Sequence, residues 1–245
     1  MKTILILGAN GRIGFELSKF FLNENCKIIA VDKSFSQFKY KDPSNLLRIK
    51  IDLSKEKNFN LLIKKISNQK KIDGVVYCLY PKTKSWGTSF EKVNEKHLKE
   101  NLYFQLGKKI LFLKNIYDFF KKKKMKSSIV MLSSIQGIRA PKFEHYKDLN
   151  MHSPIEYSAS KAGIISITEY LAKYINNKDL RINCISPGGI LDNQKKEFIR
   201  RYKKACISKG MLESKDLCAT VMFLISADSN YIRGQNIVID DGWSL

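Results

Sequence analysis

The apolar run "TILIL" (3–7) leads straight into "GANGRIG" (8–14), and no other feature restricts the fold of this chain more. A strand that ends in spaced glycines and opens a helix needs a tight turn at Gly8, a bare backbone at Gly11 and a close helix–strand approach at Gly14. Asn10, Arg12 and Ile13 fill the positions between them. The new helix points the free N–H groups of its first turn back at the loop, which suits a pyrophosphate. A second apolar run, "KIIAV" (27–31), ends in Asp32, 18 residues beyond Gly14. A carboxylate there accepts hydrogen bonds from adenosine ribose hydroxyls and repels a 2′-phosphate. NAD is therefore the expected cofactor. NADP is the alternative, because Arg12 and Lys33 can neutralise an added phosphate.

Five more short apolar runs follow: "LRIKI" (47–51), "GVVYC" (74–78), "SIVML" (128–132), "RINCI" (181–185) and "NIVID" (236–240). Amphipathic stretches separate most of the runs. In 56–68, for instance, Phe59, Leu62, Ile63 and Ile66 fall on one helical face. The alternation predicts an α/β fold: a Rossmann-type, doubly wound, seven-stranded, mostly parallel sheet with helices on both faces. Residues 1–245 carry no repeat or linker, so one domain is expected, with its binding crevice at the carboxyl ends of the strands.

Several classes are disfavoured. No run of 18 apolar residues occurs, so no membrane span is expected, and the apolar start is too short for a secretory signal. The five cysteines are scattered and never spaced CxxC, which argues against a zinc site or a disulfide framework. A reduced, cytoplasmic setting is expected. The 44 Lys+Arg against 23 Asp+Glu give a formal charge of +21, which attracts anions. The run "KKKKMK" (121–126) reads as a solvated helix end. No aromatic residue interleaves with it, so nucleic acid is not the expected partner.

The chemistry is expected around "SSIQG" (133–137) and "EYSASKAG" (156–163). Ser133 and Ser134 stand at a strand's carboxyl end. Tyr157 and Lys161 are four apart on one helix face. A neighbouring cation lowers the pKa of a phenol, which can then exchange a proton with a carbonyl or alcohol oxygen. A lone YxxxK arises often by chance. It gains weight behind a glycine loop and a strand-end serine pair.

"GANGRIG", Asp32, "IDL" (51–53), "SSIQG", "YSASK", "RINCISPGG" and "GQNIVIDDG" stand in an order that resembles the compact branch of the short-chain dehydrogenase/reductase family over the full chain. The resemblance implies an acid/base Tyr157, a Lys161 that lowers its pKa and binds the nicotinamide ribose, and a substrate-orienting Ser134. It implies that Asp52 and Leu53 meet the adenine, and that Pro187, Gly188 and Ile190 shape the nicotinamide pocket. The family's fourth catalytic position, an asparagine, falls by spacing on Gln105, with Asn101 one turn earlier on the same face. "YCLY" (77–80) replaces the family's "NNAG", and Arg12 stands where a glycine is usual.

Ser134 and Tyr157 are 23 residues apart, more than is usual in compact members. The added stretch within about 135–156 carries Arg139, Lys142, His145, Tyr146, Lys147 and His152, and its ends are anchored at the site. A second insertion, about 190–212, carries Arg200, Arg201, Lys203 and Lys204. Arginine forks match phosphate geometry, but these side chains also fit the wet face of a helix whose inner face is Phe198, Ile199 and Tyr202. "YPKTKSWG", "APKFEHY", "RINCISPGGILDNQ" and "YIRGQNIVIDDG" resemble the flagellin-modification members of the family. That resemblance implies a small-molecule substrate such as a sugar, sugar phosphate or nucleotide sugar, and a homodimer or homotetramer. An oxidoreductase is the expected activity. A sugar epimerase or dehydratase with tightly held NAD, and a non-catalytic cofactor sensor, are the alternatives.

Overall fold

The computed structural model describes residues 1–39, 43–55 and 57–245. Seven strands form one sheet: β1 Thr3–Leu7, β2 Lys27–Asp32, β3 Leu46–Lys50, β4 Gly74–Tyr77, β5 Ser127–Leu132, β6 Leu180–Pro187 and β7 Asn236–Ile239. Their order is β3-β2-β1-β4-β5-β6-β7, and every pairing is parallel. The chain winds outward in one direction from β1 and in the other from β4. Their carboxyl ends therefore splay apart and open a crevice between them.

Both faces of the sheet are covered, so its central strands β1, β4 and β5 are buried at every position. Successive side chains point to opposite faces. Leu5 and Leu7 join the core under α2 (Asn58–Ile66), α4 (Lys108–Lys123) and α5 (Ile155–Ile175), while Ile4 and Ile6 join the core under α1 (Arg12–Asn23) and α7 (Cys218–Ile225). The α2 face is as the periodicity predicts: Phe59, Leu62 and Ile66 are buried and Ile63 packs partly against them. Phe120 of α4 is fully buried, which contributes about 2–3 kcal/mol of transfer free energy. The basic run ends α4 in solvent. Lys121 to Lys124 are exposed, and Lys124 takes a left-handed conformation (φ 52°) that stops the helix. No helix among the described residues is long and apolar enough to cross a membrane.

Candidate active site

The glycine loop is built by sterics. Gly8 has φ +80°, and a Cβ there would lie 2.9 Å from the Cys78 carbonyl carbon. A Cβ on Gly14 would lie 2.1 Å from the Gly8 carbonyl oxygen, so α1 rests directly on the loop. Gly11 precedes α1, and no side chain caps that helix. Its first-turn N–H groups stay available for an anion. Gly8, Asn10, Gly11, Arg12, Ile13 and Gly14 all line one cavity of about 1280 Å³. Single ligand pockets usually measure about 300–1,000 Å³, so this one has room for a dinucleotide and a second molecule.

Asp32 ends β2 on the same cavity. Its Oδ2 accepts from the Asn10 backbone N–H at 2.9 Å, and its Oδ1 from that of Ser34 at 3.3 Å. Asp52 and Leu53 line the cavity farther along, as do Pro187 at the end of β6 and Gly188 and Ile190 beyond it. The Ser54 hydroxyl and backbone N–H hold the Asp52 carboxyl below its usual pKa. Arg12 departs from expectation. Its guanidinium donates to the Leu191 carbonyl at 3.0 Å and pairs with Asp192. In the protein alone it thus reaches across the cavity to the second insertion.

At the centre, the two serines separate. The Ser133 hydroxyl is turned inward and donates to the Lys161 carbonyl at 2.7 Å. Ser134 faces the cavity together with Tyr157 and Lys161. Lys161 Nζ donates to the Leu132 carbonyl at 2.9 Å and lies 5.4 Å from the Tyr157 ring centre. Burial pulls the Lys161 pKa down to about 8. Burial also pushes the Tyr157 phenol up, with a hydrogen bond from Ser134 working against it. In the protein alone, desolvation wins at both groups.

Gln105, on which the fourth position falls by spacing, lies at an irregularity in the helix. Residues Tyr103–Gly107 form one wide π turn between α3 (Glu95–Leu102) and α4. Gln105 is buried there, outside the cavity lining, and its side-chain N–H donates to the Pro81 carbonyl. Its backbone carbonyl accepts from Lys109, a fully buried lysine. Asn101, also buried, donates to Glu156 Oε1 at 2.8 Å and so pins the start of α5, one residue ahead of Tyr157. Both side chains support the site from behind. Neither touches the cavity. Gln105 lies inside the wide turn, where an extra residue per turn rotates a side chain away from the ideal-helix position.

The two insertions fold together as a cap. Ile135 and Leu149 from the first pack with Phe198, Tyr202 and Met211 from the second, and with Trp243, in a separate small core. Lys195 donates to the Leu149 carbonyl, and Arg201 to the Glu144 and Lys147 carbonyls at 3.1 and 2.7 Å. Arg200 and Arg201 both pair with Glu197 on their own helix, α6 (Lys196–Lys204). With Lys203 and Lys204 they stay outside the cavity lining, so the wet-face reading of that helix holds. Sequence reasoning missed the ring cluster on Tyr157. Tyr80 and Trp86 meet the Tyr157 ring edge-on at 5.8 and 6.0 Å. The one available signal was "YCLY", which places an aromatic ring at the end of β4.

A sheet of this order with a glycine loop, a strand-end serine and a Tyr–Lys pair on one cavity defines a dinucleotide-dependent α/β protein. A family model described as "Enoyl-(Acyl carrier protein) reductase" matches residues 8–244. The chain is 39% identical to the Post-translational flagellin modification protein A of Campylobacter coli, over 100% of this chain and 98% of that one. It is 27% identical to the 7alpha-hydroxysteroid dehydrogenase of Bacteroides fragilis, over 100% and 95%. Among solved structures, a short chain dehydrogenase from Leptospira borgpetersenii with bound NAD+ superposes with a TM-score of 0.90, at 32% identity, over 100% of this chain and 93% of that one. The chain belongs to the short-chain dehydrogenase/reductase family of NAD(P)-dependent oxidoreductases.

Proposed function

We propose that the chain interconverts a hydroxyl and a keto group on a sugar, sugar phosphate or nucleotide sugar, using NAD, in a flagellin-modification-like route to surface glycans. The observation that carries the reaction type is the meeting of Ser134, Tyr157 and Lys161 on the same cavity as the glycine loop and Asp32. The residues present fit a dinucleotide: the uncapped α1 amides suit its pyrophosphate, and Asp32 suits the adenosine ribose. When bound, the nicotinamide supplies or accepts hydride. Ser134 holds the substrate oxygen, and Tyr157 moves its proton. Lys161 carries charge next to the phenol and binds the nicotinamide ribose. The likeness to the Campylobacter coli protein and to a relative with bound NAD+ supports both the pathway and the cofactor.

The test is a screen of sugar phosphates and nucleotide sugars, read by NADH absorbance, followed by Tyr157→Phe. Turnover is expected to fall at least about a hundredfold, the usual range for a lost acid/base group. A loss within about tenfold, roughly 1.4 kcal/mol in barrier, sinks the assignment. Asp32→Ala should shift the affinity ratio toward NADP, and an unchanged ratio rejects the NAD preference. A homodimer or homotetramer belongs to the same reading. Ile110 and Leu111 of α4 and Tyr170 and Tyr174 of α5 are exposed and suit a helix-paired interface. Light scattering of the purified chain measures it directly.

A further inference from the structure

The motif "YPKTKSWG" (80–87) supplies no group to the proposed hydride transfer, yet its two rings stand against Tyr157. Three rings form a corner in which each is nearly upright on the others. Tyr80 and Trp86 are 5.5 Å apart at 88°, Tyr80 and Tyr157 5.8 Å at 85°, and Trp86 and Tyr157 6.0 Å at 75°. All three line the cavity. Tyr80 is 38% exposed, and Trp86 is partly exposed. Burial pushes the Tyr80 phenol up, the neighbouring Tyr157 phenol adds to this, and the Trp86 indole N–H works against it. The polar ends of the corner therefore converge beside the Tyr157 oxygen. An indole has a single donor. With that donor turned to Tyr80, Trp86 offers the cavity carbon.

The corner is fixed from behind. The buried Gln105 donates to the Pro81 carbonyl, and the Thr83 hydroxyl donates to the buried Asn101 Oδ1. The Trp86 backbone N–H donates to the Thr83 carbonyl at 3.3 Å, and the Thr88 hydroxyl to the Ser85 carbonyl at 2.6 Å. Lys161 marks the opposite side of the phenol. Its Nζ lies 5.6 Å from the Tyr80 ring centre and 5.4 Å from that of Tyr157. Among the described residues it stands over those two rings and not over Trp86. Lys161 borders the nicotinamide ribose in the proposed reaction, so Trp86 falls on the substrate side. An acid/base group works within hydrogen-bond reach of the oxygen it serves. The carbons next to the reacting one are thereby brought to the Trp86 ring.

An aromatic face is the negative side of a quadrupole. It attracts polarised C–H bonds and repels oxygen lone pairs. A saturated ring lines up several C–H bonds on one side, whereas an open chain has no fixed face of that kind. We propose that Trp86 is a specificity-determining residue whose ring packs on the C–H face of a saturated ring carrying the reacting carbon, so that the substrate is cyclic and not an open-chain polyol. This rests on the reading of Ser134, Tyr157 and Lys161 as the reacting end, and it adds which form of molecule that end accepts. Tyr80 backs the indole, and the pinned segment keeps both rings in place before the ligand arrives.

The experiment reads tryptophan fluorescence of the NAD+-loaded full chain carrying Tyr157→Phe, which keeps the third ring and stops turnover. The chain has two tryptophans, and the other, Trp243, is buried. The probes are glucose 6-phosphate, UDP-glucose and myo-inositol, with sorbitol 6-phosphate as the open-chain match of the first. At least one cyclic probe is expected to change the fluorescence saturably, and Trp86→Phe should abolish that change. Sorbitol 6-phosphate should bind at least about tenfold more weakly than the cyclic probe. By calorimetry, Trp86→Ala should weaken the cyclic probe by about tenfold or more, the scale of a truncated aromatic anchor. NAD+ affinity should stay within about twofold. Trp86→Phe, which keeps a ring face, should bind the probe within about threefold of the parent. A silent Trp86 with all three cyclic probes overturns the proposal, as does sorbitol 6-phosphate binding as tightly. Equal losses in the Ala and Phe variants overturn it too, because a ring face is then not what binds. A parallel loss of NAD+ affinity places Trp86 on the cofactor and has the same consequence. Turnover is measured separately with Tyr157 intact. Turnover of a cyclic probe that ignores Trp86→Ala sinks the ring contact alone. Trp86-dependent binding without turnover upholds the contact and sinks the proposed reaction.

Discussion

One wall of the cavity is the carboxyl edge of the sheet, and the other is the cap. The sheet wall is set by backbone contacts that leave no room for change. Gly14 tolerates no Cβ at all, and the parallel register fixes Asp32, Ser134 and Pro187 relative to one another. The cap wall is set by side chains: a small core around Phe198 and Tyr202, and a few long cations that reach backbone carbonyls. Such a wall can be rebuilt by exchanging side chains without disturbing the sheet. The difference teaches where each duty sits. The rigid wall suits a cofactor of fixed shape, and the replaceable wall suits the choice of substrate.

The largest expected effect tests the rigid wall. Gly14→Val places atoms where the Gly8 carbonyl already is, and no flexible side chain can yield. A loss of more than about 4 kcal/mol is expected, with loss of NAD binding, read by thermal melting and calorimetry. A stable variant that still binds NAD would show that the loop can move off α1. Next comes the cap. Phe198→Ala empties its small core and is expected to cost about 3 kcal/mol locally. Hydrogen exchange should quicken across 135–156 and 190–212 and stay slow in β1, β4 and β5. Faster exchange in those strands breaks the division into two separately held walls.

That division also explains what could be read from the sequence. The seven strands and the face of α2 were legible because each is a local pattern: an apolar run, a glycine turn or a helical period. The cofactor wall was legible for the same reason, since its residues stand at the ends of those patterns. The cap was not. Nothing local says that His145 sits among Phe198, Tyr202 and Trp243, which come from two other parts of the chain. The wide turn at Gln105 was not legible, because a π turn leaves no clear mark in a helical pattern. The burial of Tyr157 and Lys161 was not legible, because spacing reveals that a lysine is near but not how dry the pair is.

The dryness gives a third prediction, on the sheet wall. Lys161 has a folded pKa of about 8 against an ordinary value of 10.5. Between those values the unfolded chain binds the extra proton and the folded one does not, so raising the pH favours folding. Below pH 8 both states are protonated, and the full cost of burying the charge is present. The wild type should therefore gain on Lys161→Met by about 3 kcal/mol as pH rises through that window. Denaturant melts of both chains at several pH values measure the difference. A difference that does not change with pH would mean that Lys161 is solvated in the folded chain, and the sheet wall would be wetter than its geometry indicates.

The smallest expected effect falls where the two walls meet. Arg12 belongs to the glycine loop, yet its guanidinium holds Leu191 and Asp192 of the second insertion. The Arg12 and Asp192 side chains are 50% and 48% exposed, so water and salt screen the pair. Such pairs contribute about 0–1 kcal/mol. Arg12→Gln should accordingly shift the melting temperature by no more than about 4 °C. Backbone hydrogen exchange should quicken only near 190–195, and moderate salt should reproduce much of that change in the wild type. The core around Phe198 should stay protected, because it does not depend on the pair. If exchange instead rises across the whole cap, as expected for Phe198→Ala, the cap is held by the cofactor loop and not by its own core. The two walls would then be one unit, and binding at the glycine loop would act directly on the shape of the substrate end.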